Sequence, residues 1–170
     1  MHRMASILAI VAAVPLAAVA QHNPPQPYAG LDSRTVKALS AEQIADLKAG
    51  RGMGLALPAE LNGYPGPTHV LELAGPLDLT PDQRGRTEAL VVAMKAEAIP
   101  LGERLIASEA ALDRLFAEKR VTIDTLQDAS AQIGVAQAAL RASHLRYHRD
   151  MLEVLTPEQT ARYGALRGYG

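Results

Sequence analysis

One five-residue pattern occurs twice in this chain, as Leu79-Thr80-Pro81-Asp82-Gln83 and as Leu155-Thr156-Pro157-Glu158-Gln159, and a looser copy, Leu39-Ser40-Ala41-Glu42-Gln43, precedes both. In each copy the Thr or Ser hydroxyl can accept a backbone N–H bond at the N-cap, and the Gln side chain can reach back to the cap. Proline also fits the first helical position in the two closer copies. The pattern therefore predicts helices that begin near residues 40, 80 and 156.

The stretch between the two closer copies predicts a helical hairpin. Apolar residues recur at three- and four-residue spacing over about 81–118 and again over about 123–154, with a short polar link between them. Because the link is short, the two helices must lie antiparallel with their apolar stripes in contact. An interior proline costs about 3 kcal/mol, so Pro100 predicts a kink or break near residues 96–100 and a bent hairpin.

The N-terminal part of the chain differs from the rest. Residues 1–20 have a basic start, an apolar run and small residues at 18–20, a pattern typical of a cleaved secretory signal peptide; an uncleaved membrane anchor is the alternative. The proline-rich residues 21–38 predict a flexible lead-in. Residues 39–170 then form a single helical domain, in which Thr68 is expected to cap a short helix over about 68–73.

Composition narrows the fold class and the function class. An exported chain with no cysteine must be held together by packing alone, and one Phe and no Trp leave an aliphatic core built mainly of helix formers. We therefore expect an all-α fold. The net charge of −1 argues against a nucleic-acid partner. No nucleophile, phosphate-loop or zinc-protease motif stands out, so we expect a binding protein without an organic cofactor and not an enzyme.

Together these features resemble the periplasmic LTxxQ family, which includes the Spy and CpxP stress proteins and related heavy-metal sensor and resistance proteins. The resemblance rests on the two Leu-Thr-Pro-acid-Gln helix starts, the signal peptide, the lack of cysteine and the hairpin, and it covers about residues 69–168. It implies an all-helical, dimeric protein that acts outside the cytoplasm. Two activities are compatible with it: ATP-independent protection of unfolding proteins and binding of transition-metal ions.

Two histidines on the second long helix bear on that choice. His144 and His148 are four residues apart, so both imidazoles point to one side of the helix and could chelate Zn, Cu, Ni or Co. The alternative is a pair of partly exposed polar residues in an arginine-rich run. If the hairpin turns near residues 120–121, the numbers of facing residues sum to roughly 241, which places Glu97 opposite His144 and Met94 close to His148.

Glu97 is unusual because it interrupts the apolar stripe of the first long helix. A carboxylate that faces a partner helix needs a counter-charge or a metal ion. The alternative to a metal ligand is an ion pair with Arg104 or Arg141.

A second group of candidate ligands lies nearer the open end of the hairpin. His69 and Glu72 are three residues apart on the short preceding helix and could fold onto that end, where Met151 also lies. In the metal-sensing relatives, a His and a Met stand just ahead of the second LTPEQ. Here Met151 stands four residues before Leu155, but Tyr147 occupies the position four residues before Met151.

The sequence thus favours a periplasmic metal-responsive stress protein that binds a divalent transition metal (Zn, Cu, Ni or Co). Its candidate ligands are His144, His148, Glu97, Met151 and His69. The alternative is an ATP-independent periplasmic chaperone that holds unfolding client proteins. In either case we expect a homodimer, and a further possible partner is the periplasmic domain of an envelope sensor.

Overall fold

The computed structural model of the protein describes residues 26–169, so the predicted signal peptide at residues 1–20 lies outside the described residues. Over the described part the fold is all-α, as predicted. The elements are a 3-10 turn Leu31–Ser33 and helices α1 Ala41–Lys48, α2 Leu57–Glu60, α3 Pro67–Glu72, α4 Pro81–Ala117, α5 Ile123–Met151 and α6 Pro157–Arg167. Between residues 26 and 169 no helix combines the length and the apolar character needed to cross a bilayer.

Helices α4 and α5 form the predicted antiparallel hairpin, and their packing is the main helix contact of the fold. Helix α4 continues through Pro100 as one element, so the proline does not break it. Ala98 and Gly102 on either side of Pro100 are both buried. Packing on both sides therefore offsets the roughly 3 kcal/mol that an interior proline costs a helix.

The predicted capping boxes are present at all three copies of the motif. The Thr80 hydroxyl accepts the Gln83 backbone N–H at 3.2 Å, and the Thr80 backbone N–H donates to Gln83 Oε1 at 3.1 Å. The same reciprocal bonds start α6 at Thr156 and α1 at Ser40. The motif thus has the structural role that its residue types predict.

Two early helices differ from the prediction. Helix α3 begins at Pro67 with Gly66 as its N-cap, so the prediction of a Thr68 cap is wrong. The reason is that Pro67 is itself preorganised for the first helical turn and starts the helix earlier. Helix α2 was not predicted, although Pro58 in its first turn is a start signal of the same kind.

The two closer motif copies are also joined to each other. Gln83 Nε2 donates to Gln159 Oε1 at 2.7 Å, and Gln159 Nε2 donates back to Gln83 Oε1 at 3.0 Å. The same amide groups donate to the carbonyl oxygens of Val154 and Leu77 at 3.0 and 3.1 Å. This amide pair ties the start of α6 to the start of α4 at the open end of the hairpin.

The buried apolar residues form two clusters along the hairpin. The first packs α1 and the preceding segment against the middle of the hairpin: Val36, Leu39, Leu47, Ala98, Leu105, Ile133, Ala136 and Leu140. The second joins α3 and α6 at the open end: Val70, Leu77, Met151, Val154, Leu155 and Tyr163. Because Val36 is buried, the packed part of the chain begins within the stretch predicted as a lead-in. Along α5, His144 and His148 lie between the two clusters.

Candidate metal centre

A cavity of about 590 Å³ opens where the early helices meet the hairpin. Three of the five predicted ligands line it, namely His69 from α3 and His144 and His148 from α5. The fold thus places His69 on the wall of the same cavity as His144, although the two are 75 residues apart in sequence. The wall also carries two carboxylates and two thioethers, from Glu60, Glu72, Met53 and Met94.

His144 is the most buried polar group of this cavity. The residue is 2% exposed, and its Nε2 atom has no hydrogen-bond partner among residues 26–169. Burial lowers the pKa of His144, and the neighbouring His148 lowers it further, while the Glu97 carboxylate acts in the opposite direction. Burial therefore favours the neutral form of this imidazole. The alternative of a partly exposed histidine pair is wrong, since His148 is only 9% exposed.

The ring of His148 is fixed from one side by two acceptors. Its Nδ1 lies 2.8 Å from the carbonyl oxygen of Tyr64 and 3.5 Å from Oε2 of Glu60. Nδ1 must carry the proton to donate to the carbonyl, which leaves the lone pair of the neutral ring on Nε2. Backbone carbonyls and carboxylates commonly orient metal-binding histidines in this way.

Gly66 leaves room for that ring. A Cβ atom at position 66 would lie 2.9 Å from Cε1 and 3.1 Å from Nε2 of His148. Such contacts are closer than carbon atoms tolerate without displacement. The glycine therefore permits the α3 cap to lie directly against the imidazole.

Glu60 is the main residue of the site that sequence reasoning missed. This buried carboxylate accepts the hydroxyl protons of Tyr163 and Tyr169 on Oε1 at 2.5 and 3.0 Å, and the Gly66 N–H on Oε2 at 3.1 Å. Arg167 Nε lies 3.6 Å from Oε1 and supplies a counter-charge. Burial and the bond to Glu60 raise the pKa of Tyr163. Glu60 thus links α2 to α6 and to the His148 ring.

Nothing in the sequence around Glu60 predicts this role, because it belongs to no motif. The available signal was indirect: Pro58 in the first turn of α2 could have predicted a helix there. A glutamate at its end would then have been one of several candidates.

His69 and Glu72 lie at the exposed rim of the cavity. His69 Nδ1 is 2.8 Å from Glu72 Oε2, across one turn of α3. Their side chains are 42% and 58% exposed. The contact uses Nδ1 of His69 and does not engage the Nε2 atom of that ring, so it is compatible with an ion in the cavity.

The other two predicted ligands lie away from the cavity. The Glu97 carboxylate is ion-paired with Arg146 and accepts the Tyr147 hydroxyl proton at 3.0 Å. Arg146 thus supplies the counter-charge, rather than either arginine considered from the sequence. These contacts agree with the predicted hairpin register to within one helical turn. Met151 is fully buried in the second apolar cluster.

The cavity supplies two imidazoles of the kind that bind transition metals, but not a complete set of ligands. The unpaired, buried Nε2 of His144 and the oriented ring of His148 are donors that a transition metal would satisfy. Among residues 26–169, no three His, Asp or Glu side chains are grouped so that they could hold a metal ion as they stand.

Comparisons with known proteins found no match to any family model, curated protein or solved structure. The resemblance to the LTxxQ family therefore remains a prediction from the sequence.

Proposed function

We propose that this protein is a periplasmic metal-responsive stress protein of the LTxxQ type, which binds a transition-metal ion through His144 and His148. One observation carries the proposal: His144 and His148 line the same cavity, and the buried Nε2 atom of His144 has no hydrogen-bond partner among residues 26–169. An unpaired buried polar atom costs about 1–3 kcal/mol. A bound ion would remove this cost. The periplasmic location rests on the sequence of residues 1–20.

The two imidazoles have different roles in this proposal. His148 is oriented by Tyr64 and Glu60, whereas Nε2 of His144 has no hydrogen-bond partner in the described part of the chain. The ion would supply the missing partner of His144 and hold it next to His148. Binding, rather than catalysis, is the activity proposed.

The test is a calorimetric titration of the purified protein with Zn, Ni, Co and Cu. The variant His144→Gln/His148→Gln keeps the side-chain volume approximately and should abolish the binding. Glu103→Gln is a control, because Glu103 is exposed on α4 and does not line the cavity. If no metal binds more tightly than about 100 μM, or if the double variant binds as well as the wild type, the proposal is wrong.

The second candidate function is ATP-independent protection of unfolding proteins, and an apolar groove at the open end favours it. The groove has a volume of about 680 Å³ and is lined by Leu61, Leu152 and Ala161, among others. Leu61 and Leu152 are 58% and 40% exposed. Unfolded chains would be held there through their own apolar side chains.

Light scattering from an aggregating client protein tests this candidate without metal or nucleotide. Leu61→Ser/Leu152→Ser should lose the protection. Val92→Ser should keep it, because Val92 is an even more exposed apolar residue, on α4 and outside the groove. A wild-type protein that gives no suppression would exclude this function. The homodimer that the resemblance implies, and docking to an envelope sensor, belong to the same proposal, and light-scattering mass measurement tests the dimer directly.

A further inference from the structure

The sulfur-bearing wall of the cavity restricts the kind of ion that it suits. Met94 of α4 is buried at 6% exposure and lines the cavity together with His144 and His148. Met53, on the loop before α2, lines it as well. A thioether is a soft ligand without charge, and soft ligands favour Cu(I) among the biological transition metals.

The carboxylates near the cavity are already engaged by protein donors. Glu60 accepts from two tyrosine hydroxyls and a backbone N–H, and Glu97 is held by Arg146 and Tyr147. Recruiting either one as a ligand would leave those donors unpaired in a partly buried environment, which is costly. Met94 has no such commitment, because a thioether is at most a weak acceptor.

The charge of the wall points in the same direction. Arg51, Lys95 and Arg167 line the cavity together with the two carboxylates Glu60 and Glu72, so the titratable wall has no excess of negative charge. Transfer of an ion from water into a poorly solvated site is more costly for a divalent than for a monovalent ion. The wall has three positive groups against two negative ones, and this excess of positive charge opposes a divalent ion more than a monovalent one. Neutral nitrogen and sulfur donors in such a wall suit an ion of single charge.

We infer that the cavity is selective for Cu(I), which is bound by the imidazoles of His144 and His148 and by the thioether of Met94. This inference rests on the proposed metal-binding function and adds the identity of the ion and the choice of Met94, which the hairpin register places close to His148, as the sulfur ligand. It involves no change in oxidation state on the protein. Ag(I), which is similarly soft and does not change oxidation state under these conditions, is a suitable second probe.

The test compares two buried methionines. Met94→Leu removes the thioether from the cavity wall with little change in volume, and Met151→Leu does the same in the second apolar cluster, away from the cavity. Anaerobic competition with a chromophoric Cu(I) chelator should show one ion per wild-type chain. Met94→Leu should weaken binding by about tenfold or more, while Met151→Leu binds like the wild type.

X-ray absorption supplies a second readout that does not depend on affinity. The copper–sulfur shell should be present in the wild type and in Met151→Leu, and absent in Met94→Leu. Circular dichroism of each variant excludes loss of fold as the cause.

The outcomes separate this inference from the proposed function. If Zn, Ni or Co binds through His144 and His148 more tightly than Cu(I) or Ag(I), or if Met94→Leu has no effect, the Cu(I) inference is wrong while the metal-binding function stands. If no ion binds, or if binding survives in the double histidine variant, both are wrong.

Discussion

Gly66→Ala perturbs the candidate metal site without removing any donor atom. The added Cβ would lie 2.9 Å from Cε1 and 3.1 Å from Nε2 of His148. The backbone at this position, with φ −81° and ψ 134°, is one that alanine adopts freely. The substitution therefore acts mainly on the imidazole, with a further tight contact of 3.3 Å to Oε2 of Glu60, and not on the chain path.

The size of the effect follows from these contacts. Carbon atoms pack comfortably at about 3.5–4.0 Å, so the His148 ring must retreat by about 0.5–1 Å. Metal–ligand distances tolerate only about 0.2 Å. We expect metal affinity to fall by about 10–100-fold, the range found when groups that orient a ligand are removed. Overpacking also lowers the free energy of unfolding by about 1–3 kcal/mol.

Gly52→Ala is the matched control, because it places a methyl group against the other imidazole at ordinary distances. Its Cβ would lie 3.6 Å from Nδ1 and 3.8 Å from Cε1 of His144. Cu(I) and Zn affinities of both variants should be measured by chelator competition, well below their unfolding temperatures. Wild-type affinity in Gly66→Ala, or an equal loss in Gly52→Ala, would refute the assignment of His148 as a ligand at its present position.

Three further predictions concern stability. Gly102→Ala should lower the free energy of unfolding in urea, because its Cβ would lie 2.7 Å from the backbone oxygen of Leu47. Gly134→Ala is the control: its Cβ would meet no atom of the described residues within 4 Å, so it should raise the free energy of unfolding by up to about 1 kcal/mol. Equal shifts in the two variants would contradict the close approach of α1 to α4. In the metal-free protein, His144 should make the free energy of unfolding depend on pH. Because its folded pKa is lowered, its stabilising contribution should be complete above its ordinary pKa of 6.5 and be lost as the pH falls through the folded value, by at most about 1.4 kcal/mol per pH unit. A His144→Gln variant whose stability keeps the full pH slope would exclude this contribution. Gln83→Ala should lower the free energy of unfolding by about 1–3 kcal/mol more than Gln43→Ala, because it removes the bonds to Gln159 and Val154 as well as a capping box, whereas Gln43→Ala removes only a capping box. Similar losses in the two variants would mean that the amide pair does not stabilise the fold.

Local chemistry explains why the hairpin and its starts could be predicted. A hydroxyl, a proline and a glutamine at fixed spacing specify a helix start whatever surrounds them, and Thr80 and Thr156 cap α4 and α6 as expected. A short link leaves two amphipathic helices one way to pack, and the contact of Glu97 with Tyr147 agrees with the register to within a turn.

The site was only partly predictable, because it depends on contacts between distant segments. The spacing of His144 and His148 predicts that both point to one side, but not that the side is buried beneath α2 and α3. Glu60 carries no local signal, and its burial follows from tyrosines about a hundred residues away. Glu97 was predicted as a ligand because it interrupts an apolar stripe. A carboxylate at such a position can be neutralised by an arginine as well as by a metal ion, so the pattern does not distinguish the two.

The glutamine of the motif has two functions, and the second connects the motif to the site. Its Oε1 closes the capping box, which leaves Nε2 free to bond another segment, and Gln83 and Gln159 use that freedom to bond each other. This pair sets where α6 begins relative to α4. From α6, Tyr163 donates to Glu60, whose other oxygen lies 3.5 Å from Nδ1 of His148. The orientation of the imidazole is thus connected, through one buried carboxylate, to the helix that the second motif copy starts.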